Sequence, residues 1–86
     1  MEVIWTKLAK ITYVEVIENL KIRWTFKEIK TFYDLTNNTI NSITSNQIEY
    51  PYVNKRKGVK KAIIHKNVSL FFKEDHQKLY LITFFQ

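Results

Sequence analysis

Val59-Lys60-Lys61-Ala62-Ile63-Ile64-His65-Lys66-Asn67-Val68-Ser69-Leu70-Phe71-Phe72-Lys73, continued by Leu79-Tyr80-Leu81-Ile82-Thr83-Phe84-Phe85, is the stretch on which the fold turns. Its period is two. Val59, Lys61, Ile63 and His65 alternate with Lys60, Ala62, Ile64 and Lys66. Successive side chains of a strand point to opposite faces, so this alternation predicts strands. Lys66-Asn67 and Glu74-Asp75-His76-Gln77 are turn chemistry between apolar runs, which makes the stretch an antiparallel meander. Its last member is apolar on both faces, which suits a central or doubly covered strand. Strict alternation places Phe71 and the Tyr80, Ile82 and Phe84 set away from the face that holds Leu79 and Leu81.

Upstream the period becomes helical. Val3-Ile4-Trp5 reads as a short first strand, and Thr6 fits an N-cap. Ala9, Tyr13, Val16, Ile17 and Leu20 then recur at helical spacing, predicting a helix over residues 7–22, with Glu18 placed to pair with Lys21 or Arg23. Thr25 followed by Glu28 is a capping box, and Trp24 before it is placed to pack on Ile29 as a hydrophobic staple. A second helix therefore starts near residue 26, with Ile29, Phe32, Tyr33, Thr36, Ile40 and Ile43 inward. It fades in Thr44-Ser45-Asn46-Gln47. The short connection predicts an antiparallel helical hairpin. Pro51 has no N–H and holds Tyr50 extended, so Tyr50-Pro51-Tyr52 leads out of the helical half and Lys55-Arg56-Lys57-Gly58 forms a basic loop.

The expected fold is α+β, in the order β-α-α-β-β-β. An antiparallel four-stranded sheet that includes the first strand is covered on one face by the α-helical hairpin. The chain has 86 residues, and 1–86 form a single domain. Trp5, Tyr13, Ile29, Phe32, Leu70 and Leu81 are the expected core. One glycine and one proline leave few breaks in the elements. With no cysteine there is no disulfide framework and no thiolate metal site, which favours a reducing, cytoplasmic setting. The N-terminal residues lack the pattern of a signal peptide, and no run of about 18 apolar residues suggests a membrane span.

The formal charge of +6 is unevenly placed. Basic and acidic side chains balance across residues 1–50. Residues 51–86 carry Lys55, Arg56, Lys57, Lys60, Lys61, Lys66, Lys73 and Lys78 against Glu74 and Asp75. Such a field attracts polyanions or acidic proteins, or serves only as a solvated face. Lys55, Arg56, Lys57, Lys60 and Lys61 are the candidate target-binding residues. For RNA cleavage the same region offers Lys55, Lys57, Lys60, Lys61 and His65. His65 is more readily an edge-strand residue with a satisfied ring, and His76 a solvated turn residue. Asp34, Asp75 and the scattered Glu residues form no ligand cluster, so no metal and no cofactor is expected. The aromatic residues could stack bases, but packing in core or interface is the commoner use. Phe71, Tyr80 and Phe84 are the candidate seat of a bound protein.

Taken together, several segments resemble the RelE/ParE toxin superfamily. They are Val3-Ile4-Trp5-Thr6-x-x-Ala9, the spaced Val16, Leu20 and Trp24, Thr25-x-x-Glu28, Gly58 to Lys66, Val68 to Phe72, and Leu79-x-Leu81-Ile82-Thr83-Phe84-Phe85. The likeness is one of spacing over nearly the whole chain. It implies the toxin half of a type II toxin–antitoxin (plasmid stabilisation) system, a bacterial growth inhibitor neutralised by a cognate antitoxin. RelE-like members cleave messenger RNA on the ribosome, and ParE-like members poison DNA gyrase. Lys60 stands where the family usually has Arg, which keeps the charge and loses the bidentate fork. Phe72 stands where Tyr is common. The sequence ends at Phe84-Phe85-Gln86, where relatives continue into a tail with Asp, Arg and Pro. The missing tail and the long helical hairpin favour the ParE-like, non-enzymatic branch. A RelE-like endoribonuclease and a non-toxic basic nucleic-acid-binding module are the alternatives.

Overall fold

A computed structural model describes all residues, Met1–Gln86. The elements are β1 (Glu2–Trp5), α1 (Lys7–Lys21), α2 (Phe26–Thr44), β2 (Tyr52–Asn54), β3 (Val59–His65), β4 (Val68–Asp75) and β5 (Lys78–Phe85). They form one five-stranded sheet in the order β1-β5-β4-β3-β2. Both helices pack on one side of it, α1 over β5 and β1 and α2 over β3. The fold is α+β with a helical hairpin, as expected.

The sheet departs from expectation in two ways. It has a fifth strand, and it is not wholly antiparallel, because β1 runs parallel to β5 with Val3 opposite Leu79 and Trp5 opposite Leu81. A parallel pair cannot be closed by a tight turn. Here every other element lies between the two partners. The apolar β5 is thereby flanked by β4 and β1, which agrees with its double-faced sequence. The added strand, β2, pairs with β3 through Tyr52 opposite Lys60 and Asn54 opposite Val59. Pro51 immediately precedes it, and the Pro51 carbonyl accepts the Lys61 N–H at 3.0 Å. So short a strand displays no alternation from which sequence could recognise it. The β4–β5 turn is also tighter than expected: β4 runs to Asp75, and His76 takes a left-handed φ of 56°.

Side-chain oxygens fix the helix starts. The Thr6 hydroxyl accepts from Ala9 N at 3.1 Å and donates to the Leu81 carbonyl at 2.7 Å, which ties the α1 cap to β5. Both arms of the Thr25–Glu28 capping box are present. Glu18 pairs with Lys21 at 3.1 Å. The aromatic neighbours of Trp24 are Phe32 and His65.

The core lies between the hairpin and one sheet face. Phe32, Leu70, Phe72, Leu79 and Leu81 are fully buried, and Ala9, Val16, Leu20, Ile40, Ile43, Ala62, Ile64 and Val68 join them. Thr36 is buried on α2, its hydroxyl donating to the Phe32 carbonyl at 2.9 Å. Trp5 and Tyr13 are half-buried against this cluster, and Ile29 is half-buried.

Phe84 also belongs to this core, contrary to its expected place on a protein-binding surface. It is 3% exposed and packs on Trp5 and Tyr13, with ring centroids 5.6 and 5.0 Å away. The cause is a β-bulge. Phe71 pairs with Thr83 but Phe72 pairs with Leu81, so Ile82 is an extra residue in β5. One inserted residue reverses the facing of all that follow. Phe84 turns inward, and Phe85 takes the outer place. Thr12 anchors the bulge from α1: its hydroxyl accepts the Phe84 N–H at 2.9 Å and donates to the Leu8 carbonyl at 2.8 Å.

Candidate functional surface

The helices cover one face of the sheet and leave the other open. The pleat sends Ala62, Leu70, Phe72, Leu79 and Leu81 inward and their neighbours outward. The strand register sets the outward rows. Ile63, Ser69 and Phe85 form one, Lys61 and Phe71 the next, and Val59, Lys73, Tyr80 and Ile4 the third. Ile63 is 69% and Phe85 66% exposed, whereas Phe71 and Tyr80 are half-buried by their neighbours. Phe71 and Phe85 meet edge to face at 6.4 Å, a diagonal cross-strand contact. An apolar groove lined by Tyr50, Pro51, Lys61 and Ile63 extends this surface towards β2. Of the expected protein-binding residues, Phe71 and Tyr80 lie on this face. Phe84 does not. Phe85, Ile63 and Ile4, which were not among those expected residues, do.

The candidate cations fall into different environments. Lys55, Arg56 and Lys57 lie exposed in the β2–β3 loop, with no carboxylate within ion-pairing distance. The loop is built by its own backbone. Asn54 Oδ1 accepts the Lys57 N–H at 3.0 Å, Gly58 N donates to the Lys55 carbonyl at 3.2 Å, and Gly58 takes a φ of 73°. That left-handed turn favours glycine. Lys61 and Lys73 flank Phe71 and Tyr80 on the open face. Lys60 is different. Its side chain is 16% exposed, its Nζ lies 3.7 Å from Glu74 and 3.9 Å from Glu49, and it sits 5.0 Å from the centre of the Tyr52 ring. These partners fasten β2 and the loop before it to β3 and β4, so Lys60 is a structural cation rather than a free one.

His65 stands apart from the basic loop. It ends β3, five residues beyond Lys60, a separation of roughly 16 Å along a strand. Its ring meets Trp24 edge on at 4.6 Å, and its Nδ1 is buried without a hydrogen-bond partner. The expectation of a satisfied ring therefore fails at that nitrogen. Lys55, Lys57, Lys60, Lys61 and His65 do not converge on one point. No three His, Asp or Glu side chains gather as metal ligands. The one titrating group with a clear shift is Tyr13, whose phenol is pushed up by burial on the helix side. The open face thus offers apolar contact, aromatic rings and fixed positive charge.

Neither a scan of the chain against protein-family models nor a search of curated proteins returned a match.

Proposed function

We propose that this protein is a toxin of the RelE/ParE type, closest to the ParE-like branch, that blocks a cytoplasmic target and is neutralised by a cognate antitoxin. The observation that carries the reading is the uncovered sheet face, where Phe71, Phe85, Ile63 and Tyr80 lie beside Lys61 and Lys73. Exposed apolar surface of this kind is a place for another protein, and the flanking lysines select an acidic one. The unpaired Lys55-Arg56-Lys57 loop at the end of the same sheet is the part that engages the target, with DNA gyrase the target the resemblance suggests. A RelE-like ribonuclease ranks lower because His65 lies far from that loop.

Expression in bacteria tests the reading. Growth should arrest, and the product of a neighbouring gene should restore it. Gyrase supercoiling should be inhibited by the purified protein. Replacing Lys55, Arg56 and Lys57 together with Ala should weaken inhibition at least about tenfold, the effect of losing charge-steered contacts. Phe71→Glu should abolish rescue by the antitoxin while the fold remains. Cleaved messages on ribosomes would install the enzyme reading instead. Salt-sensitive nucleic-acid binding with no growth defect would leave only a basic binding module.

A further inference from the structure

The outer stripe of α1 has no role in the core or on the open sheet face. Leu8 is 51%, Ile11 46% and Val14 56% exposed, while Ala9, Val16 and Leu20 on the opposite side of the helix are buried. Leu8 and Val14 lie three residues to either side of Ile11, and Lys7 and Glu15 four residues to either side. On a helix these are the positions that surround a central residue on one face. The stripe is therefore an apolar patch centred on Ile11, with a cation on one side and a carboxylate on the other. Neither Lys7 nor Glu15 has an ion-pair partner within the chain, whereas Glu18 is held by Lys21 at 3.1 Å.

We propose that this stripe is the contact surface of a symmetric homodimer, in which two copies of α1 cross antiparallel with Ile11 on the two-fold axis. The charge arrangement selects a second copy as the occupant. A two-fold axis at Ile11 brings Lys7 of each copy level with Glu15 of the other, twice over, and sets Leu8 and Val14 of both around the central pair. Lys10 adds positive charge to the N-terminal half, while Glu18 in the other half is balanced by Lys21. A parallel crossing would set like charges level instead. The contact lies on the helical side of the molecule, so it leaves the open sheet face and the basic loop unobstructed.

Light scattering or sedimentation of the full chain, from about 5 µM to about 500 µM, tests the proposal. The mass should rise from 10.4 kDa towards twice that value. Ile11→Lys should hold it at the monomer value throughout. Lys7→Glu should weaken association about tenfold by setting like charges level, and Lys7→Glu with Glu15→Lys should restore it. These positions are exposed, and an unchanged circular dichroism spectrum verifies folding. A parent chain that stays monomeric over the whole range overturns the proposal, even if Ile11→Lys impairs binding to some other protein. So does dimerisation that Ile11→Lys leaves intact. Failure of the charge swap to restore association overturns the antiparallel arrangement.

Discussion

Replacing Phe84 with Ala should destabilise the protein far more than replacing its neighbour Phe85, although the two are identical residues in one strand. Phe84 is 3% exposed and packs on Trp5 and Tyr13, while Phe85 is 66% exposed. Truncating a buried Phe to Ala costs about 3–5 kcal/mol in lost transfer energy and cavity. Domains as a class hold only about 5–15 kcal/mol in all. For a domain near this size each kcal/mol moves the melting midpoint by roughly 4–8 °C, so Phe84→Ala should lower it by at least about 12 °C. Phe85→Ala loses one edge-to-face contact with Phe71 and little burial, a cost of about 1 kcal/mol or less. Thermal and urea unfolding followed by circular dichroism give both values. Binding of the proposed antitoxin should show the opposite ranking, with Phe85→Ala the more damaging when compared on folded protein. If Phe84→Ala melts within about 3 °C of the parent, or Phe85→Ala proves the costlier, then β5 has no bulge at Ile82 and the assignment of faces is wrong.

Other consequences follow from the same packing. Thr12→Val keeps the shape and β-branching of the side chain but leaves the Phe84 N–H without its acceptor. It should cost about 1–3 kcal/mol and speed hydrogen exchange at the Phe84 amide, and exchange unchanged from the parent would refute the anchor. Tyr13 should make stability fall at alkaline pH. Burial raises its phenol above the ordinary 10.0, the nearby Tyr33 adds to this, and the Thr36 hydroxyl offsets part of it. The folded state then keeps the proton where the unfolded chain has lost it. The contribution is therefore intact below about pH 10 and lost as pH climbs through the folded-state value. Urea titrations between about pH 9 and pH 11 should show this decline in the parent and a shallower one in Tyr13→Phe.

Local chemistry made much of the fold legible. Thr6 and Thr25-x-x-Glu28 mark helix starts because a cap depends only on residues within one turn. The inward faces of α1 and β4 follow from spacing alone, because burial of one face imposes a period. The basic loop was equally plain from composition and its single glycine. The sequence also pointed to an apolar outer face, and Phe71 and Tyr80 are on it.

What remained hidden depends on contacts between residues far apart in the chain. The parallel pairing of β1 with β5 is decided by where the helices return the chain, and nothing local to Val3-Ile4-Trp5 records it. The inward turn of Phe84 requires an extra residue at Ile82 and a hydroxyl from Thr12 to receive the N–H, and alternation read along β5 predicts the opposite face. Lys60 looked like its neighbours until Glu49, Glu74 and Tyr52 were brought around it. Sequence by itself set the helix caps, the strand periodicity and the unequal charge. Tertiary structure alone decided which aromatic ring is core and which is surface, because one inserted residue reverses the facing of a strand and only a distant partner can hold that insertion in place.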